Sequence, residues 1–165
     1  MIELIQRRLD SYKATGPVEE EQAIKEILQE IALYALWRVG FFEVAAFQGG
    51  TSLRILHKLP RFSEDLDFIL KEPNPEFEWS GYLEQLLNGL QEFGLKSEVL
   101  DKSHMDQRVN KALLKDNSIA NQLNLAFYRG HAGQKVNIKL EIDINPPQSS
   151  GYEYTYLDFP LDFLK

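Results

Sequence analysis

An α/β (α+β) fold, a mixed β-sheet flanked by helices, is the class this sequence predicts, and three observations predict it. Trp79, Tyr82, Leu83, Leu86, Leu87, Leu90 and Phe93 recur at helical spacing and form the strongest apolar stripe in the chain. Val136, Ile138, Leu140, Ile142 and Ile144 alternate strictly with Asn137, Lys139, Glu141, Asp143 and Asn145, the period of a half-exposed strand. The short segments Phe41–Phe47 and Asp65–Leu70 are bounded by glycine- or proline-containing turns and read as strands.

Taken in order, Ile2, Ile5, Leu9 and Tyr12 share one face of a short opening helix. Gly16-Pro17 then reads as a cap and first helical position. Glu19, Glu20 and Glu21 follow at the end of a helix that favours negative charge. Ile24, Ile27, Leu28, Ile31 and Ala35 carry that helix on to Arg38 and Gly40. Phe41–Phe47 is expected as one buried strand. After Gly49-Gly50 a short helix through Leu53 and Leu56 stops before Pro60, and Asp65–Leu70 is a strand ended by "KEPNPE". The Trp79–Phe93 helix closes at Gly94, and Leu95–Leu100 is a strand. Lys102–Ser118 gives no clear period. Gln122–Tyr128 and Lys135–Asn145 are expected to pair antiparallel through "RGHAGQ", and Pro146-Pro147 ends the second of them.

At 165 residues the chain reads as one domain, residues 1–165, with a core of ordinary size. It has no cysteine, which excludes disulfides and thiolate metal sites and fits a reducing compartment. A net charge of −7 argues against a generally basic nucleic-acid surface. The start "MIELIQRRLD" lacks the apolar core of a signal peptide, and no run is long enough to span a membrane. A cytoplasmic location is expected.

The chemistry concentrates in "FQGGTSLRILHKLPRFSEDLDFIL". Asp65 and Asp67 are two apart on a strand, so both carboxylates project to one face, where a hard cation such as Mg²⁺ would relieve their repulsion. A bare Asp-x-Asp is equally the solvated face of an edge strand. Gly49, Gly50, Thr51 and Ser52 stand at a strand-to-helix junction, where glycines admit a phosphate and free N–H groups and hydroxyls bind it. The same quartet also makes an ordinary capped turn. Arg61 is placed to clamp a phosphate and Ser63 to hold the loop that aims Asp65. Lys139, Glu141 and Asp143 share the polar face of the later strand, and either acid could face the Asp pair as a third carboxylate. His57, His104 and His131 lack any metal-ligand spacing.

Together these blocks resemble the signature of the AbiEii/AbiGii-type nucleotidyltransferases of bacterial abortive-infection and toxin–antitoxin systems. That pattern, approximately GGT-x-L-R, a gap and R-F-S-x-D-[LI]-D-F, is met by Gly49, Gly50, Thr51, Leu53, Arg54, Arg61, Phe62, Ser63, Asp65, Leu66, Asp67 and Phe68. The segment "IKLEIDINPPQSSGYEY" resembles a second family block, K-x-E-x-D-x-x-P-P. The resemblance implies a minimal nucleotidyltransferase fold like the catalytic domain of DNA polymerase β. It also implies transfer of a nucleoside monophosphate from an NTP to a hydroxyl acceptor, an RNA (transfer RNA) or a protein, with Mg²⁺ or Mn²⁺ as cofactor and a cognate antitoxin as partner. Asp65 and Asp67 carry over as metal ligands, Glu141 as third carboxylate with Asp143 as its competitor, and Gly49, Gly50 and Thr51 as the phosphate loop. Lys139 matches a family lysine expected to meet phosphate or balance charge. The alternative expectation is a non-catalytic nucleotide- or metal-binding, or antitoxin-docking, module. Longer relatives continue past the proline pair into a helical half with further Lys and Arg-Asp motifs. The 165 residues are therefore expected to cover the nucleotide-and-metal half, to transfer poorly alone, and to self-associate through Tyr156, Leu157, Phe159, Leu161 and Phe163.

Overall fold

The computed structural model describes residues 1–102, 109–127, 136–146 and 159–160. In chain order the elements are α1 (Ile2–Ser11), α2 (Pro17–Arg38), α3 (Phe41–Val44), β1 (Ala45–Gln48), α4 (Gly49–Ile55), β2 (Leu66–Leu70), α5 (Ser80–Glu92), β3 (Ser97–Asp101), β4 (Val109–Asp116), α6 (Ile119–Gln122) and β5 (Val136–Asp143). The five strands form one mixed sheet in the order β1-β2-β5-β4-β3. Only the β2–β5 pair is parallel. The predicted fold class is thus the observed one.

One face of the sheet builds the core. Leu66, Phe68 and Leu70 of β2, Ile138, Leu140 and Ile142 of β5, and Ala112 and Leu114 of β4 are buried with α2 and α5 residues such as Ile27, Ile31, Leu86 and Leu90. The alternation read in β5 supplies this face, because successive side chains point to opposite sides. Helices α2 and α5 pack closely where Gly89 meets Ala35. A Cβ on Gly89 would lie 2.6 Å from the Ala35 Cβ, so the contact requires glycine. Gln48, Asp67, Glu141 and Lys111, all on the sheet's other face, occupy one register line across β1, β2, β5 and β4.

Three element readings are corrected. The expected Phe41–Phe47 strand is helical over its first four residues, and only Ala45–Gln48 is strand. Gly40 turns the chain with φ 81°, and Phe41 packs edge-on against Phe42, Phe68, Trp79 and Tyr82. An aromatic cluster rather than strand pairing satisfies this segment. Secondly, β5 does not pair with Gln122–Tyr128. It lies between β2 and β4, while Ile119–Gln122 is helical and 123–127 carries no strand. Tyr128 and "RGHAGQ" lie outside the described residues. Thirdly, β4 falls in the stretch that gave no period. Its core face carries Asn110 and Asp116 beside Ala112 and Leu114, while Val109 and Leu113 point outward, which scrambles the apolar–polar alternation. Asp116 is wholly buried and accepts hydrogen bonds from the Ser118 and Ile119 N–H groups at 2.8 and 2.7 Å, and from the Ser97 hydroxyl. Of the residues expected to self-associate, Phe159 is buried and the other four lie outside the described residues.

Candidate active site

The acids arrive by strand register. Asp67 pairs with Glu141 across the parallel β2–β5 junction, and Asp65 precedes β2 by one residue. Each is half-buried, because Leu66, Phe68, Leu140 and Ile142 pull the alternate positions into the core. The Asp67 carboxyl is pushed above its ordinary range by burial first, then by the charges of Glu141 and Asp65. Asp143 stands two pairs further on, opposite Ile69, and its carboxylate accepts the Asn145 N–H at 2.9 Å. Glu141, not Asp143, is therefore the acid set beside Asp67. Among the described residues no three acid or histidine side chains are already gathered as a metal-ligand cluster. The donor set itself fits a hard divalent cation: it offers only carboxylate oxygens, crowded enough that a positive charge between them would be stabilising.

The glycine pair is shaped around these acids. Gly49 has φ +82°, and a Cβ there would lie 2.8 Å from Asp67 Oδ2. Only glycine meets both conditions without strain. Gly50 faces Ser63, whose Oγ would be 3.3 Å from an added Cβ. Both glycines are exposed, so their backbone stands open beside Asp67. Thr51 and Ser52 behave differently. Both are buried, and the Thr51 hydroxyl donates to the Asp65 carbonyl, tying α4 to the start of β2. Arg61 is exposed at the loop that joins these elements, and Ser63 is held by its own carbonyl, which accepts from the Gln29 amide at 3.0 Å.

Lys139 is exposed on β5, two residues before Glu141 and on the same face. Sequence reasoning missed Lys111, which lies on β4 directly opposite Glu141 and places a second cation along the acid row. The scrambled alternation of β4 hid it. The residues that grip the loop from behind, Tyr12, Glu26 and Gln29, were missed as well. Their one signal was the i, i+3, i+4 spacing of Glu26, Gln29 and Glu30, which marks a polar face on a helix otherwise rich in apolar residues.

This site lies within a region, residues 31–164, that matches the family model described as "Nucleotidyl transferase AbiEii toxin, Type IV TA system". The chain belongs to that family of nucleotidyl transferase toxins. No curated protein matches it. Solved structures that are similar to it include two from Helicobacter pylori. One is JHP933 from Helicobacter pylori, with 19% identity and a TM-score of 0.49, covering 75% of this chain and 46% of that one. The other, also from H. pylori, is described provisionally as a nucleotidyltransferase, with 18% identity and a TM-score of 0.48, covering 78% of this chain and 51% of the other. The chain thus spans about half the length of the solved structures it matches.

Proposed function

We propose that this chain, as a single domain, carries the nucleotide- and metal-binding face of a cytoplasmic nucleotidyltransferase, and that Asp65, Asp67 and Glu141 are its acidic centre. The observation that carries the reading is the Asp67–Glu141 register pair with Gly49 packed against Asp67. Asp65, Asp67 and Glu141 would hold Mg²⁺ or Mn²⁺, which when bound neutralises charge on the triphosphate. The exposed backbone of Gly49 and Gly50 lets phosphate oxygens come close to Asp67, where a side chain would exclude them. Thr51 keeps Asp65 in place through its carbonyl, and Ser52 packs beneath the same turn. Arg61 is exposed and free to swing onto a phosphate with paired N–H donors, and Ser63 fixes the loop that bears it. Lys139 and Lys111 add positive charge on either side of Glu141.

The reaction is in-line attack of an acceptor hydroxyl on the α-phosphorus of an NTP. A new oxygen–phosphorus bond forms as the bond to the departing pyrophosphate breaks. The acceptor proton passes to a carboxylate at the pocket edge, Glu141 or Asp143. Membership of a toxin–antitoxin family supports a cognate antitoxin as partner, and the acceptor in this reading is an RNA (transfer RNA) or a protein. The test is incubation with each α-labelled NTP, Mg²⁺ and total transfer RNA. Labelled acceptor and released pyrophosphate, both lost in Asp65→Asn, are expected. Nucleotide binding without pyrophosphate release would favour a non-catalytic binding or docking module.

A further inference from the structure

Arg54 belongs to the glycine-containing motif, so a phosphate contact is the first role its charge suggests. Its surroundings point elsewhere. The guanidinium donates from Nε to Glu26 Oε2 at 2.8 Å and from Nη2 to Oε1 at 3.3 Å, and Nη1 donates to the Leu59 carbonyl at 2.9 Å. Its Cζ lies over the Phe62 ring, 4.1 Å from the ring centre. Glu26 is only 5% exposed and also accepts the Tyr12 hydroxyl at 2.6 Å, and the Tyr12 ring leans on Phe62 at 6.2 Å. One turn along α2, the wholly buried Gln29 donates to the Ser63 carbonyl at 3.0 Å, while its Oε1 has no partner among the described residues. Around the central Arg54–Glu26 pair, the outward contacts of Arg54, Tyr12 and Gln29 fall on Leu59, Phe62 and Ser63, in the loop between α4 and β2. The end of that loop next to β2 meets the proposed site twice: Ser63 lies against Gly50, and the Asp65 carbonyl accepts from the Thr51 hydroxyl.

We infer that Glu26, Arg54 and Gln29 form a buried clamp that sets the position of the 59–63 loop, and through it Gly50 and Asp65, so that Arg54 is a positioning residue that does not touch nucleotide. Three features support this. The fork of Arg54 is filled by a buried carboxylate and a carbonyl, its face by an aromatic ring, and the partner acid sits on α2, which supplies none of Asp65, Asp67 and Glu141. A carboxylate buried like Glu26 would be left unpaired and unsolvated if the pair opened, so it holds its arginine more firmly than an exposed carboxylate would. The consequence for the site rests on the proposed function above. The clamp itself rests on geometry alone, and the experiment separates the two.

Hydrogen exchange of the ligand-free protein is measured for wild type, Glu26→Gln, Arg54→Gln and Arg54→Lys, the last keeping the charge while losing the fork. Binding of each Mg²⁺–NTP is measured on the same proteins by thermal shift. Both Gln variants should speed amide exchange in residues 59–65 by roughly tenfold or more while β3 and β4 keep their protection. Both should weaken Mg²⁺–NTP binding by a similar factor, with the double variant no weaker than the poorer single one, because the two residues act as one unit. Arg54→Lys should fall between wild type and Arg54→Gln in both measurements. Unchanged exchange at 59–65 in the folded Arg54→Lys and Arg54→Gln proteins overturns the clamp. So does a loss of NTP affinity in Arg54→Gln that Glu26→Gln does not share, which would mean that Arg54 meets phosphate. If wild type binds no NTP, the functional reading fails, and the exchange comparison still decides the clamp.

Discussion

Replacing Gly49 by alanine tests how tightly the Gly49-Gly50 turn is fitted to Asp67. Two costs add. The backbone at Gly49 is left-handed, φ +82°, which costs a residue with a Cβ about 1–2 kcal/mol. The new Cβ would also stand 2.8 Å from Asp67 Oδ2 and 3.3 Å from the Asp67 Cβ. Relief requires the carboxylate to leave its rotamer, at about 1 kcal/mol. The sum, roughly 2–3 kcal/mol, should lower Tm by roughly 5–10 °C in a chain of this size. Gly50→Ala is the internal control. Its Cβ would meet only the Ser63 Oγ, at 3.3 Å, and a rotatable hydroxyl can give way, so the loss should stay below about 1 kcal/mol. Urea unfolding of both variants reads the difference. In an Asp67→Ala background the carboxylate oxygen is gone, and Gly49→Ala should cost only the backbone share. Equal stability of Gly49→Ala and Gly50→Ala would refute the reasoning, as would a Gly49→Ala penalty unchanged by Asp67→Ala.

Asp67→Asn should leave the ligand-free melting point equal or higher, since the carboxyl it removes is held up by burial, Glu141 and Asp65, and it should abolish most of the rise in Tm given by Mg²⁺–NTP. An unchanged NTP-dependent shift would place the nucleotide elsewhere. Glu30, buried beside Arg8, Tyr12 and Glu26, has its carboxyl pushed from 4.5 up to about 7, chiefly by burial. The folded state therefore holds this proton more tightly than the unfolded chain. That contribution is full below pH 4.5 and is lost as pH rises through about 7. Relative to Glu30→Gln, wild type should lose roughly 2–3 kcal/mol between about pH 5 and pH 8. Parallel pH profiles for the two proteins would contradict it. Asp116→Ala strands the Ser118 and Ile119 N–H groups and the Ser97 hydroxyl and should cost roughly 3 kcal/mol in urea unfolding. A loss below about 1 kcal/mol would show that water replaces the carboxylate.

The sequence made the fold legible wherever one period ruled a segment. The β5 alternation and the Trp79–Phe93 stripe each bury one face, so pattern and structure agree. Pattern failed where a polar side chain is satisfied inside. Asn110 and Asp116 occupy core positions of β4 because the Phe77 carbonyl and the α6 N–H groups meet them, and a hydropathy pattern carries no record of those partners. The Phe41 segment misled for the opposite reason: aromatic contacts, not strand pairing, decide its conformation. Within the candidate site, spacing alone put Asp65 and Asp67 together and left Glu141 and Asp143 tied. Register breaks the tie, because Asp67 faces Glu141 and Ile69 faces Asp143. The support from Glu26 and Gln29 was illegible for a related reason. Polar residues at i and i+3 on a helix ordinarily face water, and here the 59–63 loop covers them.

The central claim is that Asp65, Asp67 and Glu141 are the acids that hold a divalent cation with the nucleotide. Electron spin resonance of Mn²⁺ titrated into the protein with an NTP tests it most directly, because free and bound Mn²⁺ give distinct signals. Wild type should bind the ion. Asp67→Asn and Glu141→Gln should each weaken it by about tenfold or more, the loss of one charged ligand, while Asp143→Asn should stay near wild type. Wild-type Mn²⁺ affinity in Asp67→Asn or Glu141→Gln would contradict the account.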